Sequence, residues 1–169
     1  VSSAAFRAIK EHGTGLVITV DTGITAIDEI AYAKSIGLDV VVTDHHQCRP
    51  ELPVCEAVVN PQRPDCEYPF KELSGVGVIF KVLCALELEL VNCGEYNLFT
   101  IKDMCRRYID LVTIGTIADV MPLCDENRIM VYMGLGMLSS TRNIGVRELF
   151  HAVGIDASKK ITASMIGYT

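Results

Sequence analysis

Short runs of continuous apolar residues alternate with helical spacing in the first third of the chain. Residues 16–20 and 38–43 are apolar and β-branched without polar alternation, which is typical of strands covered on both faces. Between them, the apolar positions after a predicted capping box that begins at Thr25 follow a helical period. This order predicts a βαβ unit with parallel strands. An Ala-rich helix is predicted before the first strand at residues 3–12, and a third strand at residues 56–59.

The remainder of the chain has mostly helical periodicity. A Pro-containing connector at residues 60–73 precedes predicted helices at residues 75–92, 101–117, 126–138 and 146–153, and a further helix is predicted to begin in the tail from residue 161. We therefore predict an α/β protein. A parallel sheet with flanking helices fills about residues 1–60, and a mainly helical portion follows over about residues 61–169.

The charge balance limits the partners that the chain can attract at a distance. Fifteen Lys and Arg stand against 21 Asp and Glu, a net charge of -6, and there is no Trp. Such a chain has no overall attraction for a polyanion and no obvious platform for stacking bases. Any contact with nucleic acid is therefore expected to be local, metal-mediated or supplied elsewhere.

Cysteine usage and hydropathy indicate the compartment. The seven cysteines have no CxxC spacing, which argues against a disulfide framework and a structural zinc site and favours a reducing cytoplasm. Charged residues interrupt every apolar stretch before the roughly 20 residues that a membrane helix needs. We expect a cytoplasmic protein without a membrane partner. Because the chain begins at Val1 rather than Met, we also expect a fragment.

Acidic and imidazole side chains stand where the first two predicted strands end. Asp21 follows the first strand, and Asp44-His45-His46 follows the second. Because the carboxyl ends of parallel strands share one edge of a sheet, these side chains are expected to face each other and to hold a divalent metal. The alternatives remain open: Asp21 is often a helix cap or turn residue in such a place, and the histidines could lie at the surface.

A third acidic position lies in a predominantly apolar stretch. Asp119 stands between Ala118 and Val120, and a buried carboxylate there is costly unless a cation or hydrogen-bond donors stabilise it. It is therefore a metal-ligand candidate. The alternative is an exposed helix end before Pro122.

The start of the predicted helix at residues 75–92 is a candidate anion site. Ser74 as N-cap with Gly75 and Gly77 leaves backbone N–H groups that could contact a phosphate. Glycines in such positions more often permit close helix packing, which is the alternative. Several scattered cations could each contact a phosphate, although such residues are usually solvated: Arg63, Lys71, Arg106, Arg107, Arg142 and Arg147.

Taken together, these motifs resemble the DHH phosphoesterase superfamily, and more closely its RecJ type of single-strand-specific exonuclease. The resemblance spans nearly the whole chain. It is carried by the segments Asp21-Thr22-Gly23, Asp44-His45-His46, Asn60-Pro61-Gln62-Arg63, Leu73-Ser74-Gly75-Val76-Gly77, Gly115-Thr116-Ile117-Ala118-Asp119-Val120 and Ser140-Thr141-Arg142-Asn143.

The resemblance implies a two-metal site that contains Mn²⁺ or Mg²⁺ and hydrolyses phosphodiester bonds. By motif, Asp21 would bridge the two metals, and His45 and Asp119 would be ligands of one of them. His46 would contact the scissile phosphate and Asp44 would orient its neighbours as the second catalytic residue. The expected substrate-binding residues are Ser74, Gly75, Gly77 and Arg142.

The activity implied is 5′-to-3′ degradation of single-stranded DNA in repair and recombination, with a helicase or single-strand-binding protein as expected partners. The family's Asp-x-Asp pair would precede Val1, and its further domains would follow Thr169. Residues 1–169 are therefore interpreted as a partial DHH phosphoesterase domain, expected to be inactive or weak alone. Two alternatives remain: hydrolysis of short oligoribonucleotides, cyclic dinucleotides or pyrophosphate, and a non-catalytic module that binds phosphate or a partner.

Overall fold

The computed structural model of the chain describes residues 1–94, 101–156 and 158–167. The chain divides into two compact units, Val1–Ile79 and Phe80–Thr169. The first unit contains the sheet, and the second is helical. The connector at residues 60–73 lies in the first unit, where it is tied to the strands. Arg63 donates a hydrogen bond to the Val58 carbonyl oxygen at 2.6 Å, and the Asn60 side-chain amide donates to the His46 carbonyl oxygen at 2.9 Å.

The first unit is built on a three-stranded parallel sheet, as the sequence predicts. Its elements are α1 (Ser3–Glu11), β1 (Leu16–Val20), α2 (Ile27–Ser35), β2 (Asp39–Thr43), β3 (Ala57–Val59) and the beginning of α3 (Gly75–Asn92). The strand order is β1-β2-β3, and Val20 pairs with Thr43 at the carboxyl end of the first pair. The core of this unit is formed by buried side chains of α1, α2 and β2 and of the residue before β2: Phe6, Ile30, Ala33, Leu38, Val40 and Val42.

Two local predictions for this unit are wrong. The capping box at Thr25 does not form, because α2 begins after Ala26, which makes no side-chain capping hydrogen bond. β1 is not covered on both faces: Leu16, Ile18 and Val20 are 51%, 52% and 44% exposed, whereas Val40 and Val42 of β2 are fully buried. In the part of the chain that the structure describes, β1 pairs on one side only, so neighbours cover it less than they cover the central strand.

The second unit packs helices against one another. After α3 it contains α4 (Ile101–Ala118), α5 (Asp125–Leu138), α6 (Ile144–Ala152) and α7 (Ala163–Gly167). Gly134 allows α5 to approach α4 closely, since a Cβ there would lie 1.8 Å from the Thr113 Oγ1 atom. The core of this unit comprises Ile117, Val131, Leu138, Val146, Phe150, Ile161 and Ile166.

The cysteines and the helix lengths each bear on an expectation from the sequence. All seven cysteines are free thiols. Within the described ranges, no helix has both the length and the apolar character that crossing a membrane requires.

Candidate metal centre

The site lies at the edge of the sheet where the parallel strands end. One residue past the paired ends of β1 and β2, the Asp21 N–H donates a hydrogen bond to the Thr43 carbonyl oxygen at 3.0 Å. The Asp44 N–H continues the same ladder to the Val59 carbonyl oxygen at 3.0 Å. Backbone hydrogen bonds therefore fix the positions of both aspartates independently of their side-chain contacts.

Three side chains converge at this edge. The Nε2 atom of His45 lies 3.0 Å from the Oδ1 atom of Asp21, and the centroids of the His45 and His46 rings are 4.5 Å apart. One ligand atom from each of Asp21, His45 and His46 lies within 4.8 Å of the others. Two imidazoles and a carboxylate at this separation fit a divalent cation such as Mn²⁺. The predicted convergence of Asp21 with the histidine pair is confirmed.

Asp44 is the buried centre of the hydrogen-bond network behind the histidines. Its Oδ1 atom accepts from the His45 N–H at 2.8 Å and the His46 N–H at 3.2 Å, and contacts the His46 Nδ1 atom at 2.7 Å. Its Oδ2 atom accepts from the Ile24 N–H at 2.9 Å. Burial alone would raise the pKa of Asp44, but the donors from Ile24, His46 and His45 outweigh it and hold the pKa below its ordinary value.

The two histidines differ in their surroundings. The His45 side chain is 8% exposed, and the His46 side chain is 59% exposed. Because Asp44 accepts from the Nδ1 atom of His46, that nitrogen carries a proton, and Nε2 is the nitrogen left for a ligand. His45 is therefore the interior member of the pair and His46 the solvent-facing one.

Asn60 belongs to the same network, although sequence reasoning assigned it no role. It is 2% exposed, and its side chain donates to the His46 carbonyl oxygen and accepts from the Gln62 N–H at 2.7 Å. Asn60 directly follows β3, as Asp21 and Asp44 follow their strands. The rule that found the aspartates could therefore have found Asn60 as well.

The start of α3 packs against Asp21. A Cβ on Gly75 would lie 2.2 Å from the Asp21 Oδ1 atom and 2.5 Å from its Cβ atom. Ser74 is fully buried, and its hydroxyl accepts from the Gly77 N–H at 3.1 Å, which confirms the predicted N-cap. The packing alternative thus accounts for Gly75 without a ligand. Substrate contact by Ser74, Gly75 and Gly77 stays a prediction.

Asp119 and Arg142 belong to the second unit. Asp119 follows α4 and is exposed, as in the alternative of an exposed helix end before Pro122. Its N–H still donates to the Gly115 carbonyl oxygen at 3.0 Å, and the next residue, Val120, adopts a φ of 56° that turns the chain out of the helix. Arg142 lies in the loop between α5 and α6. Metal ligation by Asp119 and substrate contact by Arg142 stay predictions.

Comparisons with known proteins agree with the resemblance read from the motifs. The model of the "DHH family, N-terminal domain" matches residues 3–116. The single-stranded-DNA-specific exonuclease RecJ of Bacillus subtilis is 49% identical over 152 residues, which are 90% of this chain and 18% of that protein. RecJ of Escherichia coli is 37% identical over 159 residues, 93% of this chain and 27% of that protein. The chain thus spans about a fifth to a quarter of these relatives.

Solved structures give the same result. A crystal structure of exonuclease RecJ bound to manganese matches with a TM-score of 0.74 and 33% identity, covering 96% of this chain and 38% of that one. RecJ from Thermus thermophilus in complex with Mn²⁺ matches with a TM-score of 0.73 and 34% identity, over 96% and 23% of the two chains. The same protein with Mg²⁺ matches with a TM-score of 0.54 and 25% identity, over 98% and 26%. These matches confirm the predicted fold class, and the chain belongs to the DHH family.

Proposed function

We propose that the protein hydrolyses phosphodiester bonds in single-stranded DNA from the 5′ end, with Mn²⁺ or Mg²⁺. The observation that carries this proposal is the convergence of ligand atoms from Asp21, His45 and His46 at the edge of a parallel sheet. The names of the RecJ relatives and the metals in their structures support it. Because the chain spans 18% and 27% of two of those relatives, the activity is proposed for the whole protein.

Each residue of the site has a proposed part. Asp21 and His45 would hold metal, and by the family resemblance Asp119 would be a further ligand. Hard carboxylate oxygens with imidazole suit Mn²⁺, and carboxylates suit Mg²⁺. Bound metal ions supply positive charge that offsets the phosphate and makes a water molecule more acidic.

The protein's own groups bind and orient the substrate. His46 faces solvent and offers its Nε2 side to the scissile phosphate, while Asp44 fixes the ring by accepting from Nδ1 at 2.7 Å. Asp44 is thus a positioning residue, and its fourfold hydrogen bonding keeps both histidines in one orientation. The start of α3, at Ser74, Gly75 and Gly77, and the guanidinium of Arg142 are the proposed contacts to other phosphates of the strand.

The cellular setting is part of the same proposal. Hydrolysis of single strands from an end serves DNA repair and recombination, so a helicase that exposes the strand and a single-strand-binding protein that covers it are the expected partners. The free thiols fit a reducing compartment, and we place the protein in the cytoplasm.

The test is an exonuclease assay on the full-length protein. Single-stranded DNA labelled at its 5′ end, duplex DNA, cyclic dinucleotides and pyrophosphate are each incubated with Mn²⁺. Release of the 5′ label from single strands supports the proposal, whereas preference for cyclic dinucleotides or pyrophosphate refutes it.

Single substitutions then test the roles of individual residues. His45→Ala and Asp119→Ala should each abolish release of the label, with circular dichroism unchanged. His151→Ala is the matched control, because His151 is an exposed histidine on α6, and it should retain full activity. Unchanged rates in His45→Ala and Asp119→Ala would remove the metal assignment.

A further inference from the structure

A cleft in the second unit collects two arginines and two hydroxyl side chains. It lies among α4, the end of α5 and the loop that leads to α6, with a volume of about 430 Å³. Its lining is formed by Arg106, Asp110, Met137, Ser140, Thr141 and Arg142. This volume is within the range of sites that hold small ligands, about 300–1,000 Å³. We call it the arginine cleft.

A buried carboxylate fixes the loop side of the arginine cleft. Asp110 is 6% exposed, and its Oδ2 atom accepts a short hydrogen bond from the Thr141 hydroxyl. The same hydroxyl accepts from the Asn143 N–H at 3.1 Å, and Asn143 caps α6 through the Gly145 N–H at 3.1 Å. Thr141 is therefore tied to α4 and α6 together, which holds its neighbour Arg142 at the cleft.

Among the residues that line the arginine cleft, positive charges outnumber negative charges by one. Two guanidinium groups, from Arg106 and Arg142, stand against the single carboxylate of Asp110. Arg106 has a long contact of 3.6 Å with Asp103, and a solvent-exposed pair of that kind contributes little. Within the described ranges, Arg142 makes no ion pair. Both guanidinium groups can therefore take a new anionic partner.

From this arrangement we infer that the arginine cleft binds one phosphodiester group of a single-stranded nucleic acid, an inference that rests on the proposed function. A phosphodiester carries one negative charge, which matches the excess, and its oxygens suit the planar guanidinium fork. Met137 provides an apolar wall for the sugar beside that phosphate. Because the whole chain has a net charge of -6, a strand needs such a local cationic contact.

Binding without metal tests the inference directly. The 169-residue chain is titrated into an oligothymidylate labelled at its 3′ end, in buffer with EDTA, and fluorescence anisotropy is followed at several salt concentrations. Arg106→Gln and Arg142→Gln should each weaken binding about tenfold, as expected for a lost charge-assisted hydrogen bond. Each should also reduce the salt dependence by about 0.7 in log–log slope, the value for one phosphate contact on a single strand.

Matched controls distinguish binding in the arginine cleft from the effect of the overall charge of the protein. Arg128→Gln removes the same charge from the other end of α5, at an exposed residue outside the cleft, and should leave affinity unchanged. An oligonucleotide with an uncharged methylphosphonate backbone should bind wild type and Arg142→Gln equally. Equal affinity of wild type and both cleft variants for the charged strand, or no binding at low salt, would overturn the inference.

The positioning role of Thr141 has its own readout. Thr141→Val removes the hydroxyl that joins Asp110 to Asn143 and should weaken binding, whereas Thr141→Ser keeps the hydroxyl and should restore it. Failure of Thr141→Ser to restore binding would remove the positioning role. The two proposals can fail separately. If the cleft variants bind normally, metal-dependent cleavage can still be observed, and if the nuclease assay is negative, binding in EDTA can still be measured.

Discussion

Replacing Gly75 with alanine would place a methyl group in space that Asp21 already occupies. The added carbon would lie 2.2 Å from the Asp21 Oδ1 atom, about 1.2 Å short of the 3.4 Å at which ordinary van der Waals contact begins. Rotation of the Asp21 side chain moves Oδ1 but cannot move its Cβ atom, which would lie 2.5 Å away. The backbone at Asp21 or at the start of α3 must therefore shift by nearly 1 Å.

The backbone of Asp21 has little freedom to shift. Its N–H is bonded to the Thr43 carbonyl oxygen, and its φ of 61° lies in the left-handed region. Overpacking of this kind costs about 1–3 kcal/mol, against which alanine recovers up to about 1 kcal/mol over glycine inside a helix. We expect Gly75→Ala to destabilise the chain by about 1–2 kcal/mol. Displacement of Asp21 from His45 should weaken Mn²⁺ binding roughly 10–100-fold.

Urea denaturation followed by circular dichroism measures the first effect, and Mn²⁺ titration followed by electron paramagnetic resonance measures the second. Gly77→Ala is the matched control two residues later in the same helix. Its added carbon would approach Ser74 Oγ at 3.2 Å and Leu73 Cδ2 at 3.4 Å, so a small adjustment suffices. If Gly75→Ala and Gly77→Ala have the same stability and the same Mn²⁺ affinity, the steric argument is refuted.

Three further substitutions test other contacts. Asp44→Asn puts an amide among four hydrogen-bond donors and should lower the free energy of unfolding by about 2–3 kcal/mol, measured by urea denaturation; an unchanged urea midpoint would contradict it. Gly134→Ala should destabilise by about 1–3 kcal/mol, because its Cβ would lie 1.8 Å from the Thr113 Oγ1 atom, whereas Gly136→Ala, with open space around it, should not. The pKa of Glu56 lies below its ordinary value because the carboxylate accepts from the Val40 N–H and from Lys34. Its contribution to the stability of the fold is therefore present above the pKa of the unfolded state and is lost as pH falls through the pKa of the folded state. The difference in melting temperature between wild type and Glu56→Gln should therefore shrink towards low pH, and a constant difference would exclude this linkage.

The spacing of apolar residues predicts the helices and strands well, because it follows directly from which face of each element is buried. β1 and α3 have the predicted bounds, and the other helices begin or end within two residues of prediction. The local sequence does not show that the capping box at Thr25 fails to form. The Asp44 carboxylate, which follows β2, accepts the Ile24 N–H and so ties the turn before α2 to the end of that strand.

The candidate site was partly predictable for a topological reason. Parallel strands bring their carboxyl ends to one edge, which is sufficient to predict that Asp21 lies beside His45. The sequence does not decide between a buried and an exposed Asp119, because its apolar neighbours lie on both sides of the point where the chain leaves α4: Ile117 is 8% exposed and Val120 is 86% exposed. No pattern of residue types gives the backbone angle at Val120 that causes this turn.

The left-handed residues of the chain have a consequence for directed evolution. Asp21 and Val120 have φ angles of 61° and 56°, and Val120 directly follows Asp119. Glycine adopts such angles freely and aspartate tolerates them, whereas a β-branched residue such as Val120 pays about 1–2 kcal/mol, so a library selected for heat resistance alone would enrich glycine at position 120. Such a selection would loosen the backbone beside a proposed metal ligand. Thermostable descendants of this chain should therefore be screened for Mn²⁺ affinity in the same round.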